Sequence, residues 1–156
     1  MGHINVQILT NGKKLSFETE SNGLYLLNDL LHPIKTEDKI LTALVTDDTI
    51  VLRTEDRDFR NGTSQAPWLK NDRRINNIDA YDWEGRHLWN IGDIVGDIKM
   101  AFNGCSVISN KNLVAEGELH AENTHSENLL ICVAGGYRFI IDPSDKTILS
   151  KTNGKW

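Results

Sequence analysis

Apolar and polar positions alternate in short runs along most of the chain, the two-residue period of a strand with one covered face. Ile4, Val6 and Ile8 alternate with Asn5 and Gln7, Asn11-Gly12 follows, and Leu15 and Phe17 then share one face of residues 14–19. Asn-Gly between two such runs is the strongest short hairpin signal, because both residues tolerate the left-handed backbone of a two-residue turn. Residues 39–45 and 49–53 predict a second hairpin around Thr46-Asp47-Asp48, since Asp side chains bond their own backbone in tight turns. Residues 78–82 and 86–89 predict a third, around Trp83-Glu84-Gly85. The clearest pattern comes last: residues 129–133, 137–141 and 147–151 predict three antiparallel strands, joined by Gly135-Gly136 and by Asp142-Pro143-Ser144-Asp145.

The remaining segments are less regular. Leu24, Leu27, Leu30 and Leu31 within residues 23–32 have the spacing of a short helix that Pro33 would stop, although the run is also short enough for an irregular strand. Residues 91–102 carry Ile94, Val95, Ile98 and Met100, but Gly92 and Gly96 make a poor helix, so turns leading into a strand at 98–102 are expected. Val107-Ile108 and Leu113-Val114 are weaker strand candidates. Residues 54–77 mix Arg57, Arg60, Arg73 and Arg74 with Glu55, Asp56, Asp58 and Asp72, are broken by Gly62 and Pro67, and predict a long irregular loop. Such a loop in a compact domain is either functional or mobile. The expected class is therefore mainly β, with antiparallel meanders and hairpins forming a sandwich, a curled sheet or a part-open barrel, and at most one short helix. The expected organisation is one domain over residues 1–156.

Composition narrows the function classes. A net charge of −5 argues against nucleic acid as the main partner, since phosphate binding needs clustered Lys and Arg, and is compatible with a basic protein partner. Met1-Gly2-His3-Ile4-Asn5 has neither a basic nor an apolar leader region, and no run approaches the roughly 20 apolar residues of a membrane-spanning helix. A cytoplasmic location without membrane contact is expected. Cys105 and Cys132, each among apolar or small neighbours, are expected to be reduced and buried.

Ala80-Tyr81-Asp82-Trp83-Glu84-Gly85-Arg86-His87-Leu88-Trp89 resembles the repeat of quinoprotein-type β-propellers, with the spacing one residue shorter and the Thr before the Gly absent; residues 141–149 are a fainter echo. A ring of blades needs about four or more four-stranded sheets at about 40 residues each, which exceeds this chain. The motif therefore reads as a hairpin in which Asp82 ties the turn and Trp89 packs beneath it, with no bound quinone or other cofactor.

Catalytic motifs are absent: there is no Gly-x-x-x-x-Gly-Lys phosphate loop and no Gly-x-Ser-x-Gly elbow. His120 and His125 with Glu116, Glu118 and Glu122 are the only ligand-like cluster, but a five-residue gap places the two imidazoles on neither one helix face nor one strand face, so a solvated acidic loop is expected in place of a metal site. No enzyme is expected. In size, charge and style the chain resembles the immunity proteins that neutralise bacterial toxins, and that resemblance implies an acidic surface plugging the basic cleft of a cognate toxin domain, often a nuclease. The candidate partner-binding residues are Asp47 and Asp48, the acidic residues Glu116, Glu118, Glu122 and Glu127, and the apolar anchors Phe59 and Trp68. The alternatives are a small-ligand-binding or metal-dependent enzyme domain and a self-associating β module.

Overall fold

The computed structural model describes residues 6–10, 13–19, 25–27, 34–36, 39–46, 49–55, 75–96, 101–117 and 126–154. Over these the protein is mainly β, and its strands divide among three four-stranded antiparallel sheets in which spatial order follows chain order. The first sheet holds β1 (Val6–Thr10), β2 (Lys13–Thr19), β3 (Tyr25–Leu27) and β4 (Ile34–Thr36). The second holds β5 (Lys39–Thr46), β6 (Thr49–Glu55), β7 (Ile78–Tyr81) and β8 (His87–Asn90). The third holds β9 (Gly104–Ser109), β10 (Asn128–Ala134), β11 (Tyr137–Asp142) and β12 (Thr147–Asn153). The opening strands of successive sheets lie side by side, β1 against β5 and β5 against β9. No barrel closes among the described residues.

Turn chemistry and period place the predicted hairpins where they were expected. Thr10 pairs with Lys13 across the Asn-Gly pair, Thr46 with Thr49 across the Asp-Asp pair, and Ala134 with Tyr137 across the Gly-Gly pair. Asp82 ties its turn as expected, its Oδ1 accepting the backbone N–H groups of Glu84 and Arg86 at 2.9 Å each. Asp142 does the same in the third sheet, accepting from Ser144 at 3.0 Å and Asp145 at 3.2 Å. Both turns join the third and fourth strands of their sheets.

The core is layered, and the layering follows from alternation. In β6, Ile50 and Leu52 face a cluster with Ile34, Ile40, Ala43 and Val45, while Val51 faces the opposite way, toward Leu130, Cys132, Phe139 and Trp89. In β10, Leu130, Cys132 and Ala134 join that same central cluster, while Leu129 packs on the far side against Leu113 and Ile140. Strands covered on both faces read as continuous apolar runs, as Ile50-Val51-Leu52 and Leu129-Leu130-Ile131 do. Trp89 is the largest buried side chain, and its indole N–H donates to the Pro143 carbonyl at 3.1 Å, so the second sheet is fastened to the turn of the third.

The structure decides one open expectation and corrects three others. The run at residues 23–32 holds the strand β3, bonded to both β2 and β4, and no helix is seen among its described residues. A single helical turn gains little against its nucleation cost, whereas a strand between two partners satisfies both its edges. Among the described residues two short helices form where at most one was expected. The first, α1 (Ile91–Val95), forms despite its glycine because Asn90 and Asp93 make a capping box, with Asn90 Oδ1 accepting Gly92 N–H at 2.9 Å and Asp93 Oδ2 accepting Asn90 N–H at 3.0 Å. The second, α2 (Asn110–Ala115), takes the place of the strand expected at Leu113-Val114. The strand expected at residues 98–102 is not formed at Ala101 and Phe102, which are irregular, and its remainder lies outside the described residues.

That irregular segment is held by one buried amide. Asn77 Nδ2 donates to the Thr54 carbonyl at 2.7 Å and the Phe102 carbonyl at 3.1 Å, and its Oδ1 accepts the Phe102 N–H at 2.6 Å. Replacing Asn77 with Ala should cost roughly 2–5 kcal/mol of unfolding free energy by leaving these buried groups unpaired. Asn77→Asp should be at least as harmful, because a carboxylate cannot donate to either carbonyl. Urea unfolding of both variants checks this, and a stable Asn77→Asp protein would contradict it.

Candidate functional site

Two of the sequence-derived acidic residues, Glu116 and Glu127, lie at the two ends of the helix α2. Ser109 caps the helix by accepting the Asn112 N–H at 3.2 Å, and Leu113 sinks fully into the cluster with Leu129 and Ile140. One face of a six-residue helix is thus fixed, and the other is open. Glu116 donates its N–H to the Asn112 carbonyl at 2.9 Å, and Gly117 takes the left-handed conformation, φ 77°, which turns the chain off the helix end. The chain returns at the other end, where Asn110 N–H donates to the Glu127 carbonyl at 2.8 Å. Departure and return are therefore separated by about one short helix length, ~9 Å. Glu116 and Glu127 are both exposed. Between these two ends the outer face of α2 carries a shallow depression of about 280 Å³ lined by Asn110, Lys111, Val114 and Ala115.

Of the residues singled out from the sequence, the structure places Glu116 and Glu127 at the two feet of this excursion. Glu118 and Glu122, the His120 and His125 pair, the Asp47-Asp48 turn and the aromatics Phe59 and Trp68 lie outside the described residues. Among the described residues no group of three or more His, Cys, Asp or Glu could hold a metal ion, and no helix is long and apolar enough to cross a membrane.

Two further features were not singled out from the sequence. A cavity of about 170 Å³ is lined by Leu41, Arg53, Thr54, Glu55, Asn77, Ala101, Phe102 and Asn103. It opens where the β5–β6 register slips between Ile40 and Thr42, so that Leu41 drops out of the ladder. Arg53 Nη1 reaches the Phe102 carbonyl at 3.5 Å, while its buried Nε has no hydrogen-bond partner. The second feature is a titratable cluster across β7 and β8. His87 Nε2 lies 2.9 Å from Asp79 Oδ1, which also accepts from Asn90 Nδ2 at 3.0 Å, and the Tyr81 ring meets the His87 ring edge-on at 5.3 Å. The carboxylate orients the imidazole and ties β7 to β8; among the described residues no hydroxyl or thiol is hydrogen-bonded to that pair.

Local environment sets the protonation of two groups here. Burial, followed by the Asp79 carboxylate, pushes the Tyr81 phenol up to about 12. The backbone N–H of Arg86, then that of Glu84 and the Arg86 guanidinium, hold the partly exposed Asp82 carboxyl below its ordinary value. For Tyr81 the folded state favours the neutral phenol. Its contribution to stability is complete below the ordinary value of 10.0 and is lost as pH rises through about 12. Tyr81→Phe should flatten this part of the alkaline stability profile, as measured by denaturant unfolding at stepped pH; superimposable profiles would rule the contribution out.

Comparison with protein-family models, with curated proteins and with solved structures finds no match to this chain.

Proposed function

We propose that the chain is a protein-binding inhibitor of the immunity-protein kind, which meets a basic toxin domain through the acidic excursion at α2. One observation carries this reading. Residues 116–127 contain four Glu and no Lys or Arg, and both ends of that stretch are fixed on one short helix whose outer face is an apolar depression. A concentrated negative patch steers a basic partner, and an adjacent apolar recess gives a partner side chain a place to be desolvated. The foundation is rigid, because Leu113 is fully buried beneath the helix. A surface fixed in advance loses less entropy on association than a free loop.

Lysate from the source organism passed over immobilised wild-type protein and over a Glu116→Lys/Glu127→Lys double variant tests the proposal. The wild type should retain one basic protein that elutes at high salt, and the variant should bind it with an association rate about tenfold lower at low ionic strength. Equal capture by both baits would exclude this face as the docking surface.

A small-ligand reading is favoured by the unpartnered Arg53 Nε in its cavity. It ranks second on magnitude, since about 170 Å³ falls below the roughly 300–1,000 Å³ of typical ligand pockets. Glu55 on the same wall also opposes an anion. If the cavity takes a small oxyanion, inorganic phosphate should raise the melting temperature of the wild type and not of Arg53→Met; no shift in either would dismiss it.

A further inference from the structure

We propose that Cys105 and Cys132 form a modification site, a cross-strand dithiol that a low-molecular-weight disulfide converts into an intramolecular disulfide. The two residues are direct partners in the antiparallel pairing of β9 with β10, and their Sγ atoms lie 3.8 Å apart. Directly opposed residues in such a pair have Cα separations of about 4.5 or 5.5 Å, both inside the range of about 4.4–6.8 Å that a disulfide spans. Bond formation therefore moves sulfur atoms and leaves the strands where they are.

The two thiols differ in access, and this assigns their order of reaction. Cys105 is partly exposed on β9, the edge strand of its sheet, whereas Cys132 is fully buried in the central core cluster. The hydrogen bond with Cys105 foremost, and burial next, push the Cys132 thiol well above its ordinary value, so it is a poor first nucleophile. The Cys105 thiolate attacks the small disulfide, forming a mixed disulfide on Cys105 and expelling one small thiolate. That thiolate takes the Cys132 proton. Cys132 then attacks Cys105 Sγ and expels the second small thiolate, which is protonated from water by the proton first lost from Cys105. One disulfide and two protein thiols become one protein disulfide and two small thiols, and two electrons pass from the protein sulfurs to the reagent. The product fastens the edge strand β9 covalently to β10, beside the bond from Asn103 N–H to the Val133 carbonyl at 2.9 Å.

The folded protein, incubated with oxidised glutathione and then alkylated with iodoacetamide, gives the test by intact-mass and peptide mapping. The expected result is loss of both alkylatable thiols together, a Cys105–Cys132 linked peptide and no retained glutathione. Cys132→Ala should accumulate one glutathione on Cys105, and Cys105→Ala should stay unmodified, with circular dichroism confirming that each variant is folded. The linked peptide is read on the wild type, so the test survives a variant that does not fold. Two thiols that persist under excess oxidised glutathione, a stable glutathione adduct on the wild type, or disulfides formed only between molecules would each overturn the proposal.

Discussion

The Asn77 carboxamide is the interaction on which the arrangement of the second and third sheets depends. The chain must leave β8, pass α1 and enter β9 across a junction where regular pairing has stopped. Backbone groups buried there without partners would each cost about 1–3 kcal/mol. One side chain satisfies the Thr54 carbonyl and both polar groups of Phe102, and its own backbone carbonyl accepts the Thr54 N–H at 3.0 Å. A carboxamide both donates and accepts in this pattern, which neither a carboxylate nor an apolar side chain can do. From that point Asn103 N–H reaches Val133, so one short segment is pinned to β6 and β7 on one side and to β10 on the other. The central core cluster, with Phe102 and Trp89 inside it, closes over this junction.

How much of this was legible in the sequence depends on the range of the interaction that decided each element. Hairpins were legible because Asn11-Gly12, Thr46-Asp47-Asp48 and Gly135-Gly136 act on their own neighbours, and because a period of two survives in five residues. The role of Asp82 was legible for the same reason, since its partners are Glu84 and Arg86. Leu113-Val114 was misread because two adjacent apolar residues carry no period. What decides in favour of a helix is the Ser109 cap and the seat that Leu129 and Ile140 provide for Leu113. Asn77 and Arg53 gave no signal at all, because their partners at Phe102 lie 25 and 49 residues away. The two cysteines were legible as thiols but not as a pair, for the pairing rests on the register of β9 against β10. For the candidate surface, the acidic stretch was visible in composition, while the bond from Asn110 to Glu127 that gathers its two ends was not.

The layering also decides what is left for recognition. The second sheet spends one face on the cluster with Ile34 and the other on the cluster with Phe139, and the third sheet covers its far face with α2. These faces of the second and third sheets are thus occupied, and their edges and connections remain open. The outer edges β8 and β12 each expose one large aliphatic side chain, Leu88 and Ile148 at 39%. Each is also guarded by charge. Arg86 immediately precedes β8 and is paired to Asp82 and Glu84, while Lys151 on β12 lies over the Tyr137 ring at 4.9 Å. Cationic side chains on an edge strand oppose the addition of a further strand, because an incoming backbone would have to displace or desolvate them. The residues that order these two edges thus also place charge on them. The outer face of α2 has no such guard beyond Lys111 at the rim of its depression, and the charge around its feet, Glu116 and Glu127, is of the opposite sign. That contrast in charge between the outer face of α2 and the two strand edges is what the proposed docking of a cationic partner rests on.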